Sequence, residues 1–295
     1  MSKKVNVLLS AYNGEKYIKA QIDSILNQSY PNVELYVRDD GSKDGTLAIV
    51  REYEEKGLLH LEAGENVGFV KSFEWLIANG GEADYYAFSD QDDVWFEDKI
   101  KMAVEKLEHA RENVPVLYFS NYDFYDGDLN FMAHRDGRTP NISFVNSLVD
   151  CVSLGFNSVF NRKAKDMVTE QMPEKSTGHD WWMYMVCAGM GEVIYDERPT
   201  VKYRRHNNNV SDGGDSFIKF QLAVSNGQTF QLKWNTTGNE CTEWEYEDLA
   251  ALAMAIGTYV QPFVARQQEL EIAIKACTTM KELDEIGRAS CRERV

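Results

Sequence analysis

From residue 5 to about residue 113, short continuous apolar runs alternate with stretches whose apolar positions recur every three or four residues. The runs Val5–Leu9, Val33–Arg38, Leu58–Leu61 and Tyr85–Ser89 read as buried strands, and the stretches between them as amphipathic helices. The first helix carries Ile18, Ile22 and Ile25 on one face and ends at Tyr30-Pro31-Asn32; the second carries Leu47, Val50 and Tyr53. A third runs from Gly68 to about Asn79, and a fourth from Glu97 to about Asn113 with Ile100, Val104 and Leu107 in register. Strand and helix alternating through short connections predict an α/β fold, a doubly wound and mostly parallel sheet flanked by helices. In such sheets ligands gather at the carboxyl ends of the strands. Those ends carry Tyr12-Asn13, Asp39-Asp40, Asn66 with Gly68, and Asp90 to Asp92, so four successive loops are predicted to build one cleft.

Beyond residue 115 the pattern changes. Val116–Phe119 reads as a strand, 121–141 as a polar surface excursion, and Ser153–Phe160 as a strand in which Gly155 allows close backbone approach. Gly178-His179-Asp180-Trp181-Trp182 opens a helix of Met and aromatic residues, and Val201–His206 is a short basic strand or loop. From Asp215 a helical pattern returns, with Phe217, Phe220 and Val224 on one face and an Ala-rich helix at Leu249–Ile256. The polar positions of 240–256 carry Glu and Asp rather than Lys or Arg, which favours a packed helical appendage over a membrane-resting surface. The last ten residues are basic, lack an apolar period and read as a non-native tail, with the natural chain expected to differ after about Glu285. The expected division is a main domain over 1–211, in halves of about 1–120 and 121–211, a helical region over 212–286 and the tail over 287–295.

The acids change this picture most. Asp90-Gln91-Asp92-Asp93 places three carboxylates in four positions directly after an apolar strand. Two like charges ~4 Å apart at an effective dielectric of about 20 cost about 4 kcal/mol. A solvated turn with Asp93 as a helix N-cap accounts for one of them; a divalent cation accounts for all three, since hard cations take oxygen ligands. Asp180 reads either as a helix cap or, beside His179 and two tryptophans, as part of a sugar-facing site. The basic run at 201–206 reads as a solvated edge strand or as a clamp for a diphosphate.

The formal net charge of −16 leaves no basic face for nucleic acid. An acidic protein that takes a phosphorylated ligand needs a metal or local basic residues. No P-loop spacing and no Gly-x-Gly-x-x-Gly follow the first strand, so nucleotide binding would rest on side chains and a metal. Five scattered cysteines without a Cys-x-x-Cys pair read as free thiols of a cytoplasmic protein. The N-terminus shows no apolar signal region, and no run of about 18 apolar residues predicts a membrane span.

Ser10-Ala11-Tyr12-Asn13-Gly14, Asp39-Asp40-Gly41-Ser42, Asn66-Val67-Gly68, Ser89 to Trp95, His179 to Trp182 and Tyr203-Arg204-Arg205-His206 together resemble the bacterial family 2 glycosyltransferases of GT-A fold. The resemblance covers about residues 5–211 and is nearest to the rhamnosyltransferase-like enzymes of cell-wall and capsular polysaccharide assembly. It implies an inverting, metal-dependent transfer of rhamnose or a hexose from dTDP-rhamnose or a UDP-hexose to a glycan acceptor. That acceptor would be lipid-linked, with peripheral contact at the inner face of the plasma membrane. Ala11, Tyr12, Asn13, Asp39, Asp40, Asn66, Gly68, Lys71, Asp90, Gln91 and Arg205 would form the nucleotide-sugar side, with Asp39 on a pyrimidine base and Asp90 near the ribose. Asp92, with Asp90 and His206, would hold Mg²⁺ or Mn²⁺. Asp180 matches the general base, with His179, Trp181 and Trp182 toward the acceptor. In many members the base lies in a Glu-Asp pair; here the pair is His179-Asp180.

Two other readings stand beside this one. Asp90-Gln91-Asp92-Asp93-Val94 formally fits the signature of haloacid-dehalogenase-type phosphohydrolases, although that signature belongs on a first strand and here follows the fourth. A non-catalytic nucleotide- or sugar-binding protein on the same fold would have no need of Asp180.

Overall fold

The structure is a computed structural model and describes residues 2–135, 139–147, 150–172 and 178–206. The expected helical region and tail beyond residue 211 lie outside these residues, as do 207–211.

The chain begins with strand β1 (Val5–Ala11), helix α1 (Ile18–Leu26), β2 (Val33–Asp39), α2 (Thr46–Glu54), β3 (His60–Ala63), α3 (Phe69–Asn79) and β4 (Tyr85–Ser89). These four strands pair in parallel in the order β3-β2-β1-β4, as the alternation predicts. β1 and β4 are apolar almost throughout because helices cover both faces of a parallel sheet. Ile18, Ile22 and Ile25 of α1 are buried, each contributing about 1.5–3 kcal/mol relative to exposure. Register sets the rim: Ala11 stands opposite Asp39, and Leu9 opposite Ser89. The chain leaves β1 toward β2 and later returns to its other side as β4. This reversal of strand order is where an open sheet opens a crevice.

The second half contains β5 (Val94–Trp95), α4 (Lys99–Leu107), β6 (Val116–Tyr125), β7 (Phe131–His134), α5 (Phe144–Ser147), a 3₁₀ turn at Gly155–Asn157, β8 (Ser158–Asn161), α6 (Arg162–Glu170), α7 (His179–Met190) and β9 (Glu192–Arg204). It continues the same sheet as β4-β8-β6-β9-β5, with β7 beside β6. Here antiparallel pairs (β4 with β8, β6 with β8, β5 with β9) mix with the parallel pair β6 and β9. Phe73, Phe88, Leu117, Phe160, Met183 and Tyr184 pack into one core between the sheet and α3, α6 and α7.

Several elements differ from the sequence reading: α4 ends at Leu107 rather than about Asn113, β7 forms inside 121–141, and β9 is a strand of 13 residues rather than a short one at 201–206. Residues 121–125 continue β6 as buried strand instead of opening a surface excursion. Their polar groups are satisfied across the sheet, Asp123 by His134 at 3.0 Å and Asn121 by Arg135 at 3.4 Å. Tyr122 and Phe124 pack on Tyr203 from β9. The expected strand at 153–160 begins with the 3₁₀ turn. β3 starts two residues late and is a mostly exposed edge, which leaves it little apolar signal. Among the described residues no helix is long and apolar enough to cross a membrane. Cys151 and Cys187 are free, as expected; the other three cysteines lie outside the described residues.

Candidate active site

The four loops after β1 to β4 are sewn into one rim by their own polar groups. Gln91 mimics a strand partner for Tyr12: its Oε1 accepts the Tyr12 N–H and its Nε2 donates to the Tyr12 carbonyl, both at 2.9 Å. Asn13, held at a positive φ of 49°, accepts the Lys43 N–H at 2.8 Å and donates its own N–H to Ser42 Oγ at 3.0 Å. Asp40 is 2% exposed and bonds Arg38 and the N–H groups of Val67 and Gly68. Its carboxylate joins the second loop to the third, so Asp40 shapes the rim through protein partners. Gly41 has a φ of 77°, and a Cβ there would stand 2.8 Å from the Asn66 nitrogen. Asn66 and Gly68 thus reach the rim as backbone, while Lys71 is exposed and pairs with Glu74 at 2.6 Å.

Asp39 behaves differently from its neighbour. It is 1% exposed; Oδ2 accepts the Ser42 N–H at 3.0 Å, and Oδ1 has no hydrogen-bond partner. A buried carboxylate oxygen left without a donor is costly and invites one from a ligand. The buried Ala11 and exposed Tyr12 stand beside it at the end of β1.

The three acids after β4 divide between three environments. Asp92 meets the residues that follow β9: His206 Nε2 lies 2.8 Å from its Oδ2. Asp90 is half-buried, and its carboxyl is pushed up to about 8 by desolvation, then by the negative charges of Asp92 and Asp180. Asp93 is fully buried and its Oδ1 accepts the Arg204 N–H at 3.0 Å. It therefore is neither a solvated turn residue nor the cap of α4, whose N-cap is Asp98, and it stands apart from the cation donors. Burial pushes its pKa well up, with Asp92 and Asp90 adding to the effect. Beside it lies Lys99, wholly buried and pulled down to about 7 by desolvation against the opposing pull of Asp93 and Asp90.

Antiparallel pairing of β5 with β9 sets Val94 opposite Lys202 and so brings residues 204–206 to the acid loop. Arg204 is 5% exposed; its Nε donates to the Asp92 carbonyl at 2.7 Å and its guanidinium lies 4.6 Å from the Tyr17 ring. The same ring stacks on His206 at 4.6 Å. Arg205 donates its N–H to the Tyr125 carbonyl at 2.7 Å. Asp92 and His206 are the donors that could hold a cation. Among the described residues no three His, Cys, Asp or Glu side chains gather around one point. Two protein donors and an acidic loop fit Mg²⁺ or Mn²⁺ shared with substrate phosphates, and do not fit an all-protein cage.

Asp180 lies in the first turn of α7, where a carboxylate is favoured. Its Oδ1 accepts the Trp181 N–H at 2.8 Å and its Oδ2 the Gly155 N–H at 3.0 Å. Gly155 is the close approach read from the sequence: a Cβ there would stand 2.9 Å from His179 Nε2. His179 itself points inward. It is 4% exposed, stacked on Phe73 at 3.9 Å and edge-on to Phe88 at 4.6 Å, with neither ring nitrogen hydrogen-bonded. Burial pushes its pKa down. Trp181 and Trp182 are half-buried; the Trp181 indole donates to the Ser147 carbonyl at 2.6 Å, and Trp182 packs against the core. The aromatic residues after Asp180 thus brace α7.

Sequence reasoning missed Tyr17, Lys99 and the separate setting of Asp93. The basic run announced Arg204, but nothing in the pattern marks a lysine next to Ile100 as buried.

The glycosyl transferase family 2 profile matches residues 6–167, more than half of the chain. The chain belongs to this family. Its fold agrees: S. aureus TarS 1-349 superposes with a TM-score of 0.54 at 19% identity, over 75% of this chain and 64% of that one. The mannosyltransferase PcManGT from Pyrobaculum calidifontis, solved with GDP-Man and Mn²⁺, gives a TM-score of 0.54 at 17% identity over 100% of this chain and 81% of that one. In sequence, the chain is 26% identical over 267 residues to the dTDP-rhamnosyl transferase RfbG of Shigella flexneri, covering 84% of each. Family membership makes the protein a glycosyltransferase and removes the phosphohydrolase reading, whose acid motif would stand on the first strand rather than after β4.

Proposed function

We propose that the protein transfers a sugar from a nucleoside diphosphate to a glycan hydroxyl with inversion, using Asp180 as general base. The observation that carries this reading is the placement of Asp180. Two backbone N–H groups fix its carboxylate, and its negative charge adds to the upward shift of the Asp90 carboxyl, which supports a base near the acid loop. The acceptor O–H is a poor nucleophile, and a fixed carboxylate takes its proton during attack. A bond forms from that oxygen to the anomeric carbon as the bond to the β-phosphate oxygen breaks, and the electron pair leaves with the diphosphate. One base opposite the leaving group gives inversion in a single displacement.

Asp92 and His206, with Asp90 nearby, would hold Mg²⁺ or Mn²⁺. A bound divalent cation there offsets the charge that develops on the diphosphate. Arg205 would supply local positive charge in an acidic chain, whereas Lys71 would have to leave Glu74 to do so. The unpartnered Oδ1 of Asp39 suits the ring N–H of a uracil or thymine base, beside Tyr12 and Ala11. The donor is therefore a pyrimidine nucleotide sugar, dTDP-rhamnose or a UDP-hexose; RfbG is named for the first, and TarS was solved with UDP-GlcNAc. The acceptor is a growing surface glycan on a lipid carrier, met by peripheral contact at the inner face of the membrane.

The test is Asp180→Asn, assayed for donor binding and for transfer. Binding is expected to survive and transfer to fall about 10²- to 10⁴-fold, the range of general-base catalysis. A variant that transfers at the wild-type rate would remove the base assignment, whereas a folded wild-type protein that binds the donor and transfers nothing would put the non-catalytic binder in front.

A further inference from the structure

Arg38 stands one residue before the end of β2, and Asp40 is the first residue beyond it. Successive side chains along a strand point to opposite faces, so Arg38 and Asp40 share one face and Asp39 takes the other. Both side chains are buried, and they form an ion pair in which Arg38 Nη1 donates to Asp40 Oδ1. Taking two charges out of water is costly, so a buried pair is weak evidence for stability. A guanidinium is nevertheless a rigid planar fork that can hold two acceptors at once. The second acceptor shows what the pair does.

Arg38 Nη2 donates to the Glu65 carbonyl at 3.2 Å. Asp40 accepts the Val67 N–H through Oδ1 at 3.1 Å and the Gly68 N–H through Oδ2 at 2.9 Å. Both members of the pair thus reach the loop between β3 and α3. That loop has little else to hold it: residues 65–69 are all exposed, Val67 and Phe69 half so, and no apolar burial fixes them. The approach is close. A Cβ on Gly64 would stand 2.6 Å from Arg38 Nη2, and the Gly64 N–H donates to the Asp39 carbonyl at 2.9 Å. The ordered course of an exposed loop therefore rests on polar contacts to a buried ion pair and to the backbone of Asp39.

We propose that Arg38 and Asp40 form a clamp that holds residues 64–68 against the Asp39–Ser42 turn and so pre-orders the base end of the donor site. Both are positioning residues. The group left for the donor is the unpartnered Oδ1 of Asp39, between them in sequence and on the other face of the strand. Asp40 then serves the nucleotide through the loop, not by touching it. Without the clamp the donor has to order the loop as it binds, and that cost is taken from affinity. The proposal rests on the reading of Asp39 as the residue that meets the nucleotide base.

The test compares full-chain wild type with Arg38→Met and Arg38→Lys by amide hydrogen exchange and by calorimetric titration with UDP and dTDP in Mn²⁺. Met removes the charge and both branches of the fork. Lys keeps a charge for Asp40 and loses the fixed second branch to Glu65. In Arg38→Met the Val67 and Gly68 amides are expected to exchange about 10-fold faster or more, while those of β1 and β4 keep their protection, as a local opening requires. Its affinity for the pyrimidine diphosphate is expected to fall about 5- to 30-fold, the equivalent of ordering one backbone residue on binding. Arg38→Lys is expected to fall between Met and wild type in both readouts. Unchanged exchange at Val67 and Gly68, unchanged affinity, or faster exchange spread evenly over the sheet overturns the proposal, as does a lysine that performs no better than methionine. If Arg38→Met does not fold, Arg38→Lys decides: faster local exchange with weaker binding supports the clamp, and wild-type values in either overturn it. A folded wild type that binds neither nucleotide overturns the functional reading and the donor half of this proposal, whereas exchange at Val67 and Gly68 still decides whether the pair holds the loop.

Discussion

At the scale of single residues, the site is a set of carboxylates whose surroundings separate their tasks. Asp39 and Asp40 are adjacent and both buried, yet the oxygens of Asp40 meet Arg38, Val67 and Gly68 while Asp39 keeps one oxygen without a partner. Asp39→Ala is therefore expected to weaken pyrimidine diphosphate binding by about 10- to 150-fold, the worth of one hydrogen bond to a charged group. Calorimetry checks this; unchanged affinity would detach Asp39 from the base. His179 gives a second prediction, in stability rather than catalysis. Its folded-state pKa lies below the ordinary 6.5 because burial between Phe73 and Phe88 outweighs the opposing charges of Asp180 and Glu74. As pH falls below about 6.5 the unfolded chain takes up a proton that the fold refuses. The stability His179 contributes is thus full above that pH and is lost on acidification, by at most ~1.4 kcal/mol per pH unit. Urea unfolding at several pH values should show a shallower acid slope for His179→Leu than for wild type; parallel slopes would mean that His179 charges in the fold.

At the scale of elements, the 3₁₀ turn at Gly155–Asn157 joins the base to the core. A methyl group on Gly155 would press on His179 Nε2 and shift the N–H that holds Asp180. Gly155→Ala is expected to lose about 1–3 kcal/mol of stability by overpacking and to lower kcat more than donor KM; thermal unfolding and steady-state kinetics check both. The parallel half of the sheet was legible because β1 and β4 are buried apolar runs and the helices show their period, whereas β3, a mostly exposed edge, was read two residues early. Gly155 was legible as a glycine inside an apolar stretch. Residues 121–125 were not, since Asn121 and Asp123 look like loop residues until partners across the sheet are known. Asp93 was misread for a related reason: three acids in four positions look alike, and only the chain returning as β9, more than a hundred residues later, separates it from Asp92.

At the scale of the whole molecule, one sheet with a reversal of strand order carries the joined loops after β1 to β4, with His206 against Asp92 and Asp180 of α7 held by the Gly155 turn. The four strand-end loops were legible because doubly wound topology fixes where they meet. The closure by residues 204–206 depends on long-range pairing, and the sequence marked it only by a basic run in a chain of net charge −16. That charge makes the central claim testable, since an acidic cleft binds a diphosphate only with positive charge supplied. The most direct measurement is calorimetric titration of the protein with dTDP, UDP and GDP, each with Mn²⁺ and with EDTA. Metal-dependent binding of a pyrimidine diphosphate is expected, weakened in EDTA and in Asp92→Asn, with GDP binding more weakly. A folded sample that binds none of the three in the presence of Mn²⁺, or binds them equally well in EDTA, would contradict it.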